Sequence, residues 1–237
     1  MNNFDTFILG QVCNDENTDY GEKPVRQPGG AVLYSGYAAA GMGHRVAVLP
    51  KGNPLITDAR QAFAKNPSIA VYPLDSAAST AIRNIYLSPD RERRESWVDS
   101  RIEPYSPDEI PKVDAAIYHI AGLMRGDLGH DIIDLAAGRA MAALDVQCIL
   151  RVVRNGRMAF EDWPEKREFL KKIHFLKTDA LEAEIMTGQS DLETAARILH
   201  KWGAQEIMIT HNSGVIVFDG ELIHRQPLKP RNLTGRT

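Results

Sequence analysis

Apolar positions along the chain fall into short runs, and most runs are followed by a stretch with helical spacing. Asp5 to Val12 (DTFILGQV) is an apolar run ending near a glycine, the pattern of a buried strand. Leu33 to Gly43 is small and apolar and closes on glycines, as a helix does at its C-terminus. Arg45 to Pro50 and Ile69 to Leu74 predict two more strands. TDARQAFAKNP between them predicts a helix with Thr57 as its N-cap. Further on, AAIYHIAG, VQCILRVV and HFLKTD read as strands, and HDIIDLAAGRAMAA, EKREFLKKI and ALEAEIMTG as helices. The most regular helix is SDLETAARILHKWG. Ser190 and Glu193 have capping-box spacing, Leu192, Ala195, Ala196, Leu199 and Trp202 share one face, and Gly203 ends it. EIMITHN, GVIVFDG and ELIHRQP close the pattern as three strands. Strands alternating with helices predict one α/β domain with an open, mostly parallel sheet covered on both faces.

One region breaks the alternation. TAIRNIYL and RESWVD flank the polar SPDRER, which predicts a hairpin or small sheet around Thr80 to Asp99. Period-two spacing sets Ile82, Asn84 and Tyr86 on one face and Arg83, Ile85 and Leu87 on the other. The pattern alone fits a lid and an edge of the main sheet equally well. A small exposed sheet favours self-association, with Ile82, Ile85, Tyr86 and Trp97 as the surface, so a homodimer through the lid is expected.

Composition narrows the function. The 237 residues carry a formal charge of −3, so no basic footprint for nucleic acid exists. Cys13 and Cys148 form no C-x-x-C pair, which argues against a zinc site or disulfide framework. No run reaches a membrane span, and MNNFDTFILGQV has no basic leader, so a cytoplasmic protein with no membrane partner is expected.

Three stretches suit polar ligands at strand ends. Gly29 and Gly30 open a helix and let backbone approach a ligand; a plain loop-to-helix turn has the same spelling. Asp179 and Glu182 share the first turn of a helix, which suits either a hydrated Mg²⁺ near phosphates or acids complementing the helix dipole. Thr234 and Gly235, after a strand, suggest a nest of N–H groups for an anion.

Taken in order, these segments resemble the ribokinase-like carbohydrate kinases, also called the PfkB family. ILGQVCND looks like the strand that delivers a sugar-contacting aspartate, here Asp15. GGAVLYSGYAAAGMGHRVAVLPKGN is similar to the N-terminal signature, FLKTDALEAEIMTG to the segment carrying N-x-x-E, and IMITHNSGVIVFDG to the hairpin bordering the nucleotide. The resemblance implies a three-layer fold with a small β lid. It implies transfer of a phosphoryl group from ATP, with Mg²⁺, to a hydroxymethyl group of a sugar, polyol or nucleoside. Asp15, Gly29, Gly30, Tyr34 and Arg83 would then contact the acceptor. Asp179, Thr210, Asn212, Gly214, Thr234 and Gly235 would contact the nucleotide, and Glu182 and Asp179 the metal. Tyr34 and Asp179 stand where the family has asparagines. NLTGRT looks like the lead-in to Gly-x-Gly-Asp, which places the catalytic base just beyond Thr237. The alternative is a non-catalytic carbohydrate- or nucleotide-binding protein on the same fold. A Rossmann oxidoreductase is disfavoured, because no G-x-G-x-x-G follows the first strand.

Overall fold

The computed structural model describes residues 3–91 and 93–228. Thr234 and Gly235 lie outside the described residues. Among the described residues, nine strands form the main sheet. In spatial order these are Ile223–Pro227, Gly214–Phe218, Glu206–His211, Phe175–Asp179, Met141–Asp145, Ala115–Ile120, Phe4–Leu9, Val46–Leu49 and Ala70–Val71. The pairs from Glu206–His211 to Ala70–Val71 are parallel, and the two terminal strands add on antiparallel.

Both faces of this sheet are buried, which explains the near-continuous apolar runs. Along Phe4–Leu9, Phe7 and Leu9 enter one core with the helices His130–Arg139, Ala180–Thr187 and Leu192–Lys201. Ile8 enters the opposite core with Val32 and Leu33 of helix Ala31–Gly41 and with Phe63. The result is three α/β/α layers. No helix of the described residues is long and apolar enough to cross a membrane.

A second sheet of six strands leans over the carboxyl ends of the first. Its order is Arg151–Arg154, Arg157–Phe160, Arg94–Ser100, Ala81–Tyr86, Cys13–Thr18 and Val25–Gly29. Thr80 to Asp99 therefore supplies only two of its strands, and the rest come from stretches read otherwise in the sequence. Ile82, Asn84 and Tyr86 face inward and are buried. Ile82 and Tyr86 thus leave the expected self-association surface, and Ile85 and Trp97 remain outside.

Several local expectations are corrected. VQCILRVV is not one strand: the main-sheet strand ends at Asp145, Gln147–Leu150 forms a helical turn, and Arg151–Arg154 starts the second sheet. The Ala-rich Met141–Asp145 is a strand rather than the end of a helix, because only small or apolar residues fit between two cores. Asp191, not Ser190, caps the Leu192–Lys201 helix, its carboxylate accepting the Thr194 N–H at 2.8 Å. An ionised acceptor at the positive helix end wins over a hydroxyl. Likewise Asp58 caps the short Ala59–Ala62 helix, while Thr57 donates to Ser79 Oγ at 2.8 Å.

Candidate active site

The chain passes between the two sheets at several places, and three of these crossings build a cleft of ≈ 340 Å³. The first runs from Leu9 through Gly10, Gln11 and Val12 into Cys13–Thr18. Asp15 therefore sits on a second-sheet strand rather than on the first strand itself. It points inward and is 7% exposed. Its Oδ1 is buried without a hydrogen-bond partner in the chain. Burial raises its pKa, against the Cys13 thiol hydrogen bond and the charges of Arg94 and Arg151, which pull it down.

The second crossing returns from Val25–Gly29 to the helix Ala31–Gly41. A Cβ on Gly29 would stand 2.0 Å from Asp15 Oδ2, so only glycine leaves the carboxylate its place. Gly30 has φ +105°, and a Cβ there would meet the Gln11 carbonyl at 2.4 Å. No side chain caps this helix, and Gly30 and Ala31 line the cleft, so its N-terminal N–H groups face the space beside Asp15. Tyr34, one turn on, is half exposed on the rim. It also borders a wider groove of ≈ 1340 Å³, which shares Asp15 and Ile82 with the cleft.

The third crossing carries Asp145, Gln147 and Arg151, all of which line the cleft. Gln147 is fixed by donating from Nε2 to the Gly122 carbonyl at 3.0 Å. Lys177, on the neighbouring parallel strand, pairs with Asp145 at 3.3 Å. Burial works to lower the Lys177 pKa, but the charges of Asp145 and Glu182 outweigh it and hold the ammonium above its usual value. Arg94 and Asn84 complete the wall from the second sheet. Asn84 Nδ2 donates to Asn17 Oδ1 at 2.8 Å, and Ser96 Oγ donates to Asn84 Oδ1 at 2.7 Å.

Beyond Lys177 the same strand ends at Asp179. Asp179 Oδ1 accepts the Glu182 N–H at 2.8 Å, and Glu182 Oε2 accepts the Asp179 N–H at 2.9 Å. The pair is a complete capping box. One function remains open to it, because Glu182 is fully buried and its Oε1 has no hydrogen-bond partner. Burial, with the nearby Asp179 and Asp145 charges, pushes Glu182 up to about 7. Thr210 is paired in register with Asp179. Its hydroxyl donates to the Thr178 carbonyl at 3.4 Å. Asn212 follows in the hairpin turn and Gly214 opens the next strand, where a Cβ would meet the Gln226 carbonyl at 2.7 Å. Asp179, Glu182 and Thr210 thus gather at adjacent strand ends; none of them lines the cleft, though the charges of its Asp145, Lys177 and Arg151 act on Glu182.

Arg83 is not in this group. It lies on the outer face of its strand, bound to Asp99 at 2.9 Å and resting near the Trp97 ring. Period-two alternation settles this once Ile82 and Asn84 are known to face inward. Arg94 and Arg151 are the cleft arginines, and the sequence reading missed both. Arg94 has strand parity as its only sequence signal, and Arg151 was hidden inside an apolar run. Among the described residues, no group of three or more His, Cys, Asp or Glu side chains could hold a metal. His130 is occupied in packing: it stacks on Phe169 and accepts a hydrogen bond from Trp163 Nε1 at 3.0 Å. The donor set around Glu182 fits a cation held through water and ligand phosphates, because a single buried carboxylate oxygen is free there.

No family model matches the chain. A solved pyrophosphate-dependent kinase in the ribokinase family, in a sulfate complex, is 30% identical with a TM-score of 0.90, the alignment covering 98% of this chain and 82% of that one. A pyrophosphate-dependent kinase of that family, complexed with a pyrophosphate analog and myo-inositol, is 29% identical with a TM-score of 0.88, covering 98% and 81%. A cytidine kinase of Thermococcus kodakarensis is 25% identical over 98% of this chain and 83% of its own.

Proposed function

Because the chain belongs to the ribokinase family, we propose that it transfers a phosphoryl group from a phosphoanhydride donor to a hydroxyl of a small polyhydroxylated acceptor. The observation that carries this reading is Asp15. Its side chain lines a polar cleft beside an uncapped helix N-terminus, and among the described residues its buried Oδ1 has no hydrogen-bond partner. A carboxylate so placed accepts hydrogen bonds from acceptor hydroxyls and fixes which one points at the donor. Asn84, Asp145 and Gln147 supply further polar groups on the same wall. Among the described residues, Tyr34 is the one aromatic side chain lining the cleft, a poor stacking platform for a flat base.

The donor end is the neighbourhood of Asp179, Glu182 and Thr210. Mg²⁺ there would neutralise donor phosphates, with Glu182 Oε1 reaching it through water. Pyrophosphate is the first donor to test beside ATP, since two of the relatives use it. The second sheet covers the cleft and limits loss of the phosphoryl group to water. Self-association through the outer face around Ile85 and Trp97 belongs to the same reading, and sedimentation at micromolar concentration tests it.

A nucleoside acceptor is the second reading. The wide groove that meets the cleft at Asp15, Tyr34 and Ile82 has room for a base while a ribose sits at Asp15. The cytidine kinase relative favours it. One experiment separates the readings. The protein as encoded by its gene is assayed with myo-inositol, ribose and cytidine, each with ATP and with pyrophosphate, following the phosphorylated product. Turnover of inositol or ribose above cytidine supports the polyol reading, cytidine above both supports the nucleoside, and no phosphorylated product with any pair overturns the kinase proposal.

A further inference from the structure

Arg151 stands where the chain leaves the main sheet for the second one. The Gln147–Leu150 turn ends at Arg151, whose extended backbone opens the next strand. The Arg151 carbonyl accepts the Arg125 N–H at 2.7 Å, which fixes the junction. The guanidinium lies near the Phe160 ring, 5.8 Å from its centre, and lines the cleft. Its Nε is buried and has no hydrogen-bond partner in the chain.

Carboxylates are close, yet among the described residues none pairs with it. Arg151 sits in the electrostatic field of Asp15 on the acceptor side and of Glu182 on the donor side. Lys177, in the same cleft, has its charge engaged by Asp145. Elsewhere Arg26, Arg45, Arg83, Arg91, Arg101, Arg125, Arg154, Arg157 and Arg225 each hold an acid at ion-pair distance; Arg94, the other cleft arginine, holds none among the described residues but is exposed and rests over the Tyr86 ring. Arg151 is left charged, partly buried and uncommitted between the two halves of the cleft. The nearby carboxylates account for a positive charge there but leave its buried Nε unfilled, and a phosphoryl group in transit supplies the oxygens a guanidinium lacks.

We propose that Arg151 is a catalytic residue whose guanidinium holds the phosphoryl group as it passes from donor to acceptor, a role that rests on the kinase reading above. In that step the acceptor oxygen forms a bond to the terminal phosphorus. The bridging P–O bond of the donor breaks, and its electron pair stays on the leaving phosphate oxygen. The hydroxyl proton passes to a carboxylate base. Charge in the transition state spreads over three equatorial oxygens, and a planar fork can touch two of them at once. A guanidinium already desolvated and fixed by its strand needs little rearrangement to do so.

The test compares wild type, Arg151→Gln and Arg151→Lys, with kcat and KM for both substrates, acceptor affinity by calorimetry, and rescue by added guanidinium at low millimolar concentration. Arg151→Gln is expected to lower kcat about 10³-fold, with acceptor affinity within about twofold of wild type and partial recovery on adding guanidinium. Arg151→Lys keeps the charge and the aliphatic stem but loses the fork, and is expected to fall about tenfold in kcat. If Arg151→Gln fails to fold, Arg151→Lys carries the test. Wild-type kcat in Arg151→Lys would overturn the forked contact. Raised acceptor KM at unchanged kcat, in either variant, would reassign Arg151 to acceptor binding and overturn the proposal. Absence of turnover in wild type sinks the kinase reading itself, whereas turnover in wild type with an equally fast Arg151→Gln sinks only this inference.

Discussion

The strands Phe4–Leu9 and Cys13–Thr18 follow one another along the chain, with Gly10, Gln11 and Val12 between them. The first is apolar and packed on both faces, with Phe7, Ile8 and Leu9 fully buried. The second reads CNDENT and is joined to its neighbours by polar contacts, such as Asn17 with Asn84 and Glu16 with Arg26. Apolar burial scales with area and is tolerant of direction, so it makes a stiff scaffold. A buried polar group is stabilised only by a partner in the right place. Asp15 Oδ1 lacks that partner inside the chain. The scaffold strand is therefore satisfied within the fold, and its neighbour keeps one buried carboxylate oxygen unpaired, where the proposed acceptor would bind.

Substitutions should separate the two strands cleanly. Phe7→Ala removes a ring packed edge-on against Tyr118, at 5.2 Å between centres, and leaves a cavity in the main core. It should lower unfolding free energy by about 3–5 kcal/mol in a urea titration. A loss under about 1 kcal/mol would mean that the core relaxes around the site. Asp15→Ala should behave in the opposite way. Acceptor binding by calorimetry should weaken by about 1.5–3 kcal/mol, the range of a charge-assisted hydrogen bond. The urea midpoint should stay or rise, since a buried carboxylate oxygen without a partner is removed. A midpoint that falls as far as for Phe7→Ala would erase the contrast.

Glu182 sharpens the comparison on the pH axis. Burial raises its folded-state pKa to about 7, above the 4.5 of a free glutamate, so the folded protein holds that proton more tightly than the unfolded chain. The stability it contributes is complete below about 4.5 and is lost as pH rises through about 7. In EDTA, Glu182→Gln should raise the melting temperature relative to wild type at pH 8, and the gap should close towards pH 5. A gap that widens towards pH 5 would show that the carboxylate is stabilised as the anion. The smallest effect is expected from Arg83→Ala. Its pair with Asp99 is half exposed and screened by solvent, so the urea midpoint should barely move and acceptor affinity should not change.

The scaffold was legible in the sequence because its signal is local. Runs such as FIL and VAVL must be apolar at every position when both faces are covered, and the glycine and proline punctuation bounds them. Asp15, the glycine pair, and the Asp179–Glu182 spacing were legible through family resemblance and helix-start chemistry. The second sheet was mostly hidden. Cys13–Thr18 has no apolar alternation at all, and Arg151–Arg154 follows an apolar turn without a break in hydropathy. On the hairpin, resemblance pointed to Arg83 and passed over Arg94, which lines the cleft. Only the inward orientation of Ile82 and Asn84, a tertiary fact, distinguishes the outer face from the cleft.

The second sheet joins residues 13–29, 81–100 and 151–160, and the parallel pairing of Cys13–Thr18 with Ala81–Tyr86 is non-local. Such contacts form slowly, since long loops must close before they are rewarded. Synthesis runs in the other direction from this geometry: the first strand of the cleft emerges early and waits for its last wall. A ribosome must pass Phe160 before that sheet can close, and until then the polar strand Cys13–Thr18 has half its partners missing. Its lack of apolar side chains then becomes protective, because an unpaired strand reading CNDENT offers little for aggregation to grip.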